Sequence, residues 1–190
     1  MKAKKLPKGF TLIEMIVSVG LFAIVMVVVS GAYLSLINLE RKARALSDLM
    51  TNLSFVTDTM VRTIRAGTEY EIVTNGSDCN SLTGQDCFRF LDEQGNYVTY
   101  IIDADGSGNT AVGVCVQSNR GTCNSSKVTS LTDPRVKNLS MNITVRGVVG
   151  GDNRQPFMTF TLSGNITPDP RSAPIPFVIQ SAATQRLLDL

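Results

Sequence analysis

Met15-Ile16-Val17-Ser18-Val19-Gly20-Leu21-Phe22-Ala23-Ile24-Val25-Met26-Val27-Val28-Val29 opens a run of 25 residues, Met15 to Leu39, that carries no charge. A bilayer core about 30 Å thick needs roughly 20 helical residues, so the run is long enough to span one. A buried core helix would keep a polar face, whereas the cluster at 25–29 is apolar on every side. A secretory signal has an apolar stretch of about 7–15 residues followed by a small-residue cleavage site. Here the stretch is longer and flows into more helix-patterned sequence, so the reading is a retained membrane anchor. The same run accounts for the composition. Charged residues are only 18% of the 190-residue chain and apolar ones 43%, against roughly 25% charged in an ordinary soluble domain.

On its upstream side the anchor is preceded by Lys2, Lys4, Lys5 and Lys8, with no acid among the first nine residues. Such a leader stays cytoplasmic by the positive-inside rule. Arg41, Lys42 and Arg44, beyond the anchor, dilute that asymmetry. Outside the leader the chain has two more acids than bases, so net charge gives no support for nucleic acid as a partner. The chain has no His and no Trp. His-based triads, His general bases and the commonest metal ligand are therefore excluded.

Lys8-Gly9-Phe10-Thr11-Leu12-Ile13-Glu14 joins the leader to the anchor. This heptad resembles the type IV prepilin signature, found in pilins and in the pseudopilins of type II secretion and DNA-uptake systems. The resemblance covers the leader and anchor, about a fifth of the chain. It implies cleavage between Gly9 and Phe10 by an inner-membrane prepilin peptidase, then N-methylation of Phe10. A glycine lets the backbone approach catalytic groups closely. The resemblance also gives Glu14 a role in assembly, pairing with the Phe10 ammonium of a neighbouring subunit. A carboxylate at a bilayer centre costs about 2.5–3.5 kcal/mol on insertion scales. The plain alternative is that Glu14 snorkels to the headgroups. Many major pilins have a proline where this chain has Gly31, and that departure tilts the reading toward a minor pilin or pseudopilin.

Downstream of the anchor, Leu46, Leu49, Met50, Leu53, Val56, Met60 and Ile64 recur at helical spacing, and Asp58 and Arg62 form an i,i+4 pair. Gly67 is the expected stop. A helix from Phe10 to Gly67 would be about 87 Å long at 1.5 Å per residue. The remainder reads as β. Phe88-Arg89-Phe90-Leu91 and Tyr97-Val98-Thr99-Tyr100-Ile101-Ile102 make a hairpin about Glu93-Gln94-Gly95-Asn96, and Ala111 to Gln117 continues it with Val112, Val114 and Val116 on one face. Leu139, Met141, Ile143 and Val145 alternate with polar residues, as do Met158, Phe160 and Leu162, and Pro176 to Arg186 supplies a last strand. Residues 150–153 and 167–171 are expected to be loops. The expected fold is α+β, a long N-terminal helix packed on an antiparallel β-sheet domain. Its parts are a cleaved leader (1–9), an anchor and assembly helix (10–39), an amphipathic continuation (40–67) and an extracytoplasmic β-rich domain (68–190). The spacing Phe88-x-Phe90 followed by Tyr97-x-x-Tyr100 resembles minor pseudopilins of the J type.

Cys79, Cys87, Cys115 and Cys123 are an even set without Cys-x-x-Cys spacing and without a His to complete a mixed zinc site. In a domain outside the cytoplasm they read as disulfides. Of the three possible pairings, the Gly-, Ser- and Asn-rich segments favour local closure, Cys79–Cys87 and Cys115–Cys123. Asp103-Ala104-Asp105-Gly106-Ser107-Gly108-Asn109 has the oxygen-rich look of a calcium loop but lacks the later bidentate Glu, so a turn between strands is the default. Six sequons, at Asn52, Asn75, Asn124, Asn138, Asn142 and Asn165, reflect an Asn/Ser/Thr-rich surface. No cofactor or metal is expected.

The resemblance implies a single-pass subunit of the cytoplasmic membrane with its C-terminal domain outside, working by assembly and not as an enzyme. Its implied partners are prepilin peptidase, other pilin or pseudopilin subunits, the inner-membrane assembly platform and membrane lipid. A competing reading is a surface-anchored minor pilin that serves as an adhesion or DNA-uptake module. A membrane-tethered enzyme is disfavoured by the lack of His and of a recognisable nucleophile constellation.

Overall fold

In the computed structural model, which describes residues 9–74, 79–80, 83–104, 109–148, 155–168 and 173–186, the apolar run and the amphipathic stripe form one helix, α1 (Leu12–Ala66). The strands that follow are β1 (Thr68–Val73), β2 (Cys79–Asn80), β3 (Cys87–Leu91), β4 (Tyr97–Ala104) and β5 (Thr110–Gln117). Then come β6 (Cys123–Asn124), β7 (Thr129–Ser130), β8 (Val136–Arg146), β9 (Phe157–Ile166) and β10 (Ile175–Thr184). The chain divides into two compact units, Met1–Arg44 and Ala45–Leu190. In the first, α1 is exposed along its described length apart from half-buried Ile37, with an Arg44–Glu40 ion pair near its end.

In the second unit, α1 turns Leu49, Leu53, Val56, Met60 and Ile64 inward, all buried. Met50 departs from the expected stripe and is exposed. The helix stops at Ala66, where the Gly67 amide bonds back to the Ile64 carbonyl at 3.0 Å. The glycine is needed here for close approach, since a Cβ would lie 2.2 Å from the Phe90 ring.

Two antiparallel sheets face this stripe. One has the order β1-β3-β4-β5-β7 and the other β10-β9-β8. Their apolar alternation builds a shared core with the helix from Tyr70, Phe88, Phe90, Tyr100, Ile102, Val112, Leu139, Met141, Met158, Phe160 and Leu162. Val112, Val114 and Val116 pair with Ile102, Tyr100 and Val98, but burial fades along the row and Val116 is exposed. In the β3–β4 turn Asp92 accepts bonds from the Gln94 and Asn96 amides at 2.9 and 2.7 Å.

The centre of the larger sheet, at β3 and β4, is buried on both sides. Behind the helix-facing row lie Cys87, Arg89, Thr99 and Ile101, all at most 3% exposed. Val73, Cys79, Cys87 and Ile101 form a second apolar cluster, with Val128 packed against it. Arg89 enters this layer with Nε 3.4 Å from the Thr99 hydroxyl and its terminal nitrogen 3.1 Å from the Gly121 carbonyl. A buried guanidinium is tolerated only because such acceptors replace water.

Helix and sheet are also tied by two tyrosines. The Tyr70 hydroxyl donates to the Ile64 carbonyl at 2.5 Å, and the Tyr100 hydroxyl lies 2.7 Å from that of Thr63. Burial pushes the Tyr70 hydroxyl up to about 12, against the lowering effect of the Arg65 cation, and burial likewise raises Tyr100. An unfolded tyrosine loses its proton near pH 10. Between pH 10 and about 12 the unfolded chain therefore sheds a proton that the fold retains, and stability present below pH 10 declines across that window. For Tyr70 alone the decline is about 2–3 kcal/mol. Tyr70→Phe should flatten this part of the stability–pH curve, measured by urea unfolding without reductant. An equally steep decline in the variant would show that Tyr70 is not responsible.

Candidate functional site

The helix that carries the anchor begins with a local device. Thr11 precedes Leu12, and its hydroxyl accepts a bond from the Glu14 amide at 3.4 Å, while the Met15 amide bonds to the Thr11 carbonyl at 3.2 Å. Thr11 is therefore the N-cap and Glu14 the third helical residue, the order of a capping box. Sequence reasoning missed this, although Thr11-Leu12-Ile13-Glu14 before an apolar run is its written signature. The Glu14 carboxylate is exposed in the first turn, where the unpaired amides and the helix dipole favour a negative charge. One turn on, the Ser18 hydroxyl bonds back to the Glu14 carbonyl at 2.7 Å, which suits a polar group inside an apolar helix. Gly9 and Phe10 lie outside the helix just before this cap, and Phe10 is 79% exposed. Residues 1–8 of the expected leader lie outside the described residues.

Beyond the cap, Leu12, Ile13, Val17, Leu21, Phe22, Val27 and Leu36 are each at least 59% exposed. They point around the whole circumference of α1. Burying such side chains is worth about 1.5–3 kcal/mol each, so the helix requires an apolar environment. It is long and apolar enough to cross a membrane. Gly20 and Gly31 have no atom within 4 Å of where a Cβ would sit, leaving small surfaces on which other helices can pack.

The four cysteines gather behind the larger sheet. Cys79 and Cys87 have Cα atoms 6.1 Å apart, and Cys115 and Cys123 6.2 Å, both inside the range a disulfide spans. The two pairs are neighbours, because β2 and β6 run parallel with Cys79 opposite Cys123. Val128 reaches into the same layer over Gly113, where a Cβ would stand 2.0 Å from its methyl carbon.

The segment from Asp103 to Asn109 connects β4 and β5, and residues 105–108 lie outside the described residues. Among the described residues, no group of three His, Cys, Asp or Glu side chains is arranged to hold a metal. Phe88, Phe90, Tyr97 and Tyr100 fall on β3 and β4, where Phe88 and Phe90 have ring centroids 5.8 Å apart and Phe90 and Tyr100 6.0 Å. Phe88, Phe90 and Tyr100 thus fill the core beneath α1, while Tyr97 is half-buried outside it.

The chain thus combines a capped, predominantly apolar N-terminal helical segment with an α+β unit, an arrangement that fits the pilin fold. A family model, the prokaryotic N-terminal methylation motif, matches residues 4–30. No curated protein and no solved structure is significantly similar to the chain. The motif is consistent with a type IV pilin or pseudopilin and, with the exposed apolar helix, supports a structural subunit anchored in the inner membrane.

Proposed function

We propose that the chain is a minor structural subunit of a type IV pilus or a type II secretion pseudopilus, acting by assembly without catalysis. The observation that carries this reading is the methylation motif over residues 4–30, leading directly into a helix whose apolar surface is left exposed by the described residues. Prepilin peptidase removes residues 1–9 on the cytoplasmic side and methylates the new amino terminus at Phe10. Residues 10–39 hold the subunit in the membrane until the assembly platform draws them into a filament. Residues 40–67 join them to the extracytoplasmic β-rich domain, 68–190. Gly31 supports the minor-subunit choice. Glycine weakens a helix by about 1 kcal/mol against alanine but keeps the backbone donor that proline would remove. The cysteine pairs suit a domain that matures in an oxidising compartment.

Processing tests the reading directly. Coexpression with an active prepilin peptidase should yield a chain that starts at Phe10 and has gained one methyl group, by intact-mass and N-terminal peptide analysis. An unprocessed amino terminus, with a control prepilin cleaved in the same cells, would overturn it.

A further inference from the structure

Each cysteine pair ties a short strand behind the larger sheet to a strand of the sheet itself. Cys79 of β2 is paired with Cys87 at the start of β3, and Cys123 of β6 with Cys115 in β5. β2 and β6 also pair with each other in parallel, and Cys79 falls directly opposite Cys123. Adjacent strands lie about 4.7–4.9 Å apart, inside the range of about 4.4–6.8 Å between the Cα atoms of a disulfide. Two cysteines from different pairs therefore stand within bonding reach. Cys87 and Cys115 do not, because β4 runs between β3 and β5. Two strand spacings hold them at least about 9 Å apart, past the limit of about 7 Å.

With the sheet intact, the four cysteines thus have two arrangements. One is a pair of local bridges that fasten β2 and β6 to the sheet. The other is a single bridge that fastens β2 to β6 and leaves thiols on β3 and β5. All four residues are at most 1% exposed. Val73, Ile101 and Val128 pack about Cys79 and Cys87, and Cys115 is in register with buried Thr99. Such burial admits an outside reagent only during brief openings. Exchange between neighbouring sulfurs needs no entry.

We propose that the four cysteines form a redox-operated latch, in which a dithiol reductant that opens either local bridge converts both into Cys79–Cys123. A thiolate of the reductant attacks Cys87 Sγ, and Cys79 leaves as a thiolate. The second thiol of the reductant then displaces Cys87, and the reductant departs as its own disulfide. Cys79 Sγ next attacks Cys123 Sγ. The Cys79–Cys123 bond forms as the Cys115–Cys123 bond breaks, and Cys115 takes up a proton. The dithiol has supplied two electrons and two protons, and the chain has exchanged two bridges for one bridge and two thiols. Opening Cys115–Cys123 first leads to the same product, with Cys123 attacking Cys79. The exchange stops there because Cys87 and Cys115 are held apart by β4. Its mechanical result is that β2 and β6 stay joined to each other but are let go by the sheet. The Gly121 carbonyl, two residues before Cys123, is then no longer fixed over the Arg89 guanidinium, which draws water into the layer. The latch rests on the local cysteine pairing and stands apart from the pilin reading.

The test uses the full chain in detergent micelles, first mapped without reductant. A pairing other than the local one would end the latch while leaving the pilin reading untouched. One equivalent of dithiothreitol is then added, and the reaction is quenched with acid and alkylated. The single-bridge species should carry the Cys79–Cys123 link, with both local links lost together and Cys87 and Cys115 alkylated. Single-bridge species that keep a local link, with no Cys79–Cys123, would overturn the exchange. In concentrated urea the β2–β6 register is gone and short loops close more readily than long ones, so the new link should be lost. Its equal appearance in urea would show that register is not the cause and would overturn the inference. Cys87→Ser supplies the Cys79 thiol without reductant, and at mildly alkaline pH this variant should hold Cys79–Cys123 with Cys115 free. Retention of Cys115–Cys123 alone would count against the exchange. After exchange, a bulky maleimide should label Cys87 and Cys115 without denaturant. Thiols that label only in urea would show that the sheet has not let go, and would overturn the latch.

Discussion

Alanine at all four of Cys79, Cys87, Cys115 and Cys123 is expected to leave the β-rich unit without a stable cooperative fold. Each proposed bridge joins residues eight positions apart. Closing a loop of that size is worth about 2.5 kcal/mol in the chain-entropy model. Two such losses make about 5 kcal/mol, comparable with the whole stability of a small domain. The bridges do more than close loops, because they hold the segments that cover the rear of β3 and β4. Without that cover, Ile101 would meet water and the Arg89 guanidinium would lose the fixed Gly121 carbonyl. Urea unfolding of the full chain in detergent should show the cooperative transition lost in the quadruple variant, and shifted by about half as much in either double variant. Peptide mapping without reductant should recover Cys79–Cys87 and Cys115–Cys123. Because Cys79 stands opposite Cys123 in the β2–β6 pair, the crossed set Cys79–Cys123 with Cys87–Cys115 is the specific competitor. Finding it, or four free thiols, would refute the local pairing.

How much of this was legible in the sequence depends on whether each residue's role is local. The inward stripe from Leu49 to Ile64 follows from helical period, and the turn after Leu91 follows from Gly95 and its polar neighbours. The alternation of Leu139, Met141, Ile143 and Val145 placed a half-buried strand correctly, since one face of that sheet is solvated. Period gave no help where both faces are covered. β4 reads as a simple hairpin arm, yet Val98 through Asp103 are all buried, because residues distant in sequence, among them Val73, Cys79 and Val128, gather with Ile101 behind it. Arg89 alternates with two core phenylalanines and is nevertheless 1% exposed, which strand period alone does not foretell for a charged residue. β1 was not foreseen at all, because Glu69 and Glu71 disguise a strand that ends in buried Val73. The last strand ends at Thr184, two residues short of Arg186, because the Gln185 and Arg186 amides turn away to the Pro156 and Arg65 carbonyls. At the N-terminus the motif was readable and the cap was overlooked, and the cap changes how Glu14 must be tested.

Glu14→Ala should abolish incorporation into filaments while leaving insertion and processing intact. Removing a carboxylate from the anchor lowers its cost in lipid, and the Gly9–Phe10 bond and the basic leader are untouched. In assembly the Phe10 ammonium of a neighbouring subunit would be left unpaired at low dielectric, a loss larger than that of a surface ion pair. Alanine alone is ambiguous, however, because Glu14 also stands third in a helix capped by Thr11. Its removal takes from the first turn the side chain that a capping box uses to reach back to the N-cap amide, as well as deleting a charge. Glu14→Gln separates the two roles. Glutamine serves at that position of a capping box as well as glutamate does, so the helix start is kept while the charge is lost. Crosslinking to other pilin-like subunits, in membranes that contain the assembly machinery, should therefore fail for both variants if pairing with the ammonium is the function. Failure of alanine with normal crosslinking by glutamine would make Glu14 a helix cap. Normal crosslinking by both variants, each inserted and processed like the wild type, would leave Glu14 with no part in assembly.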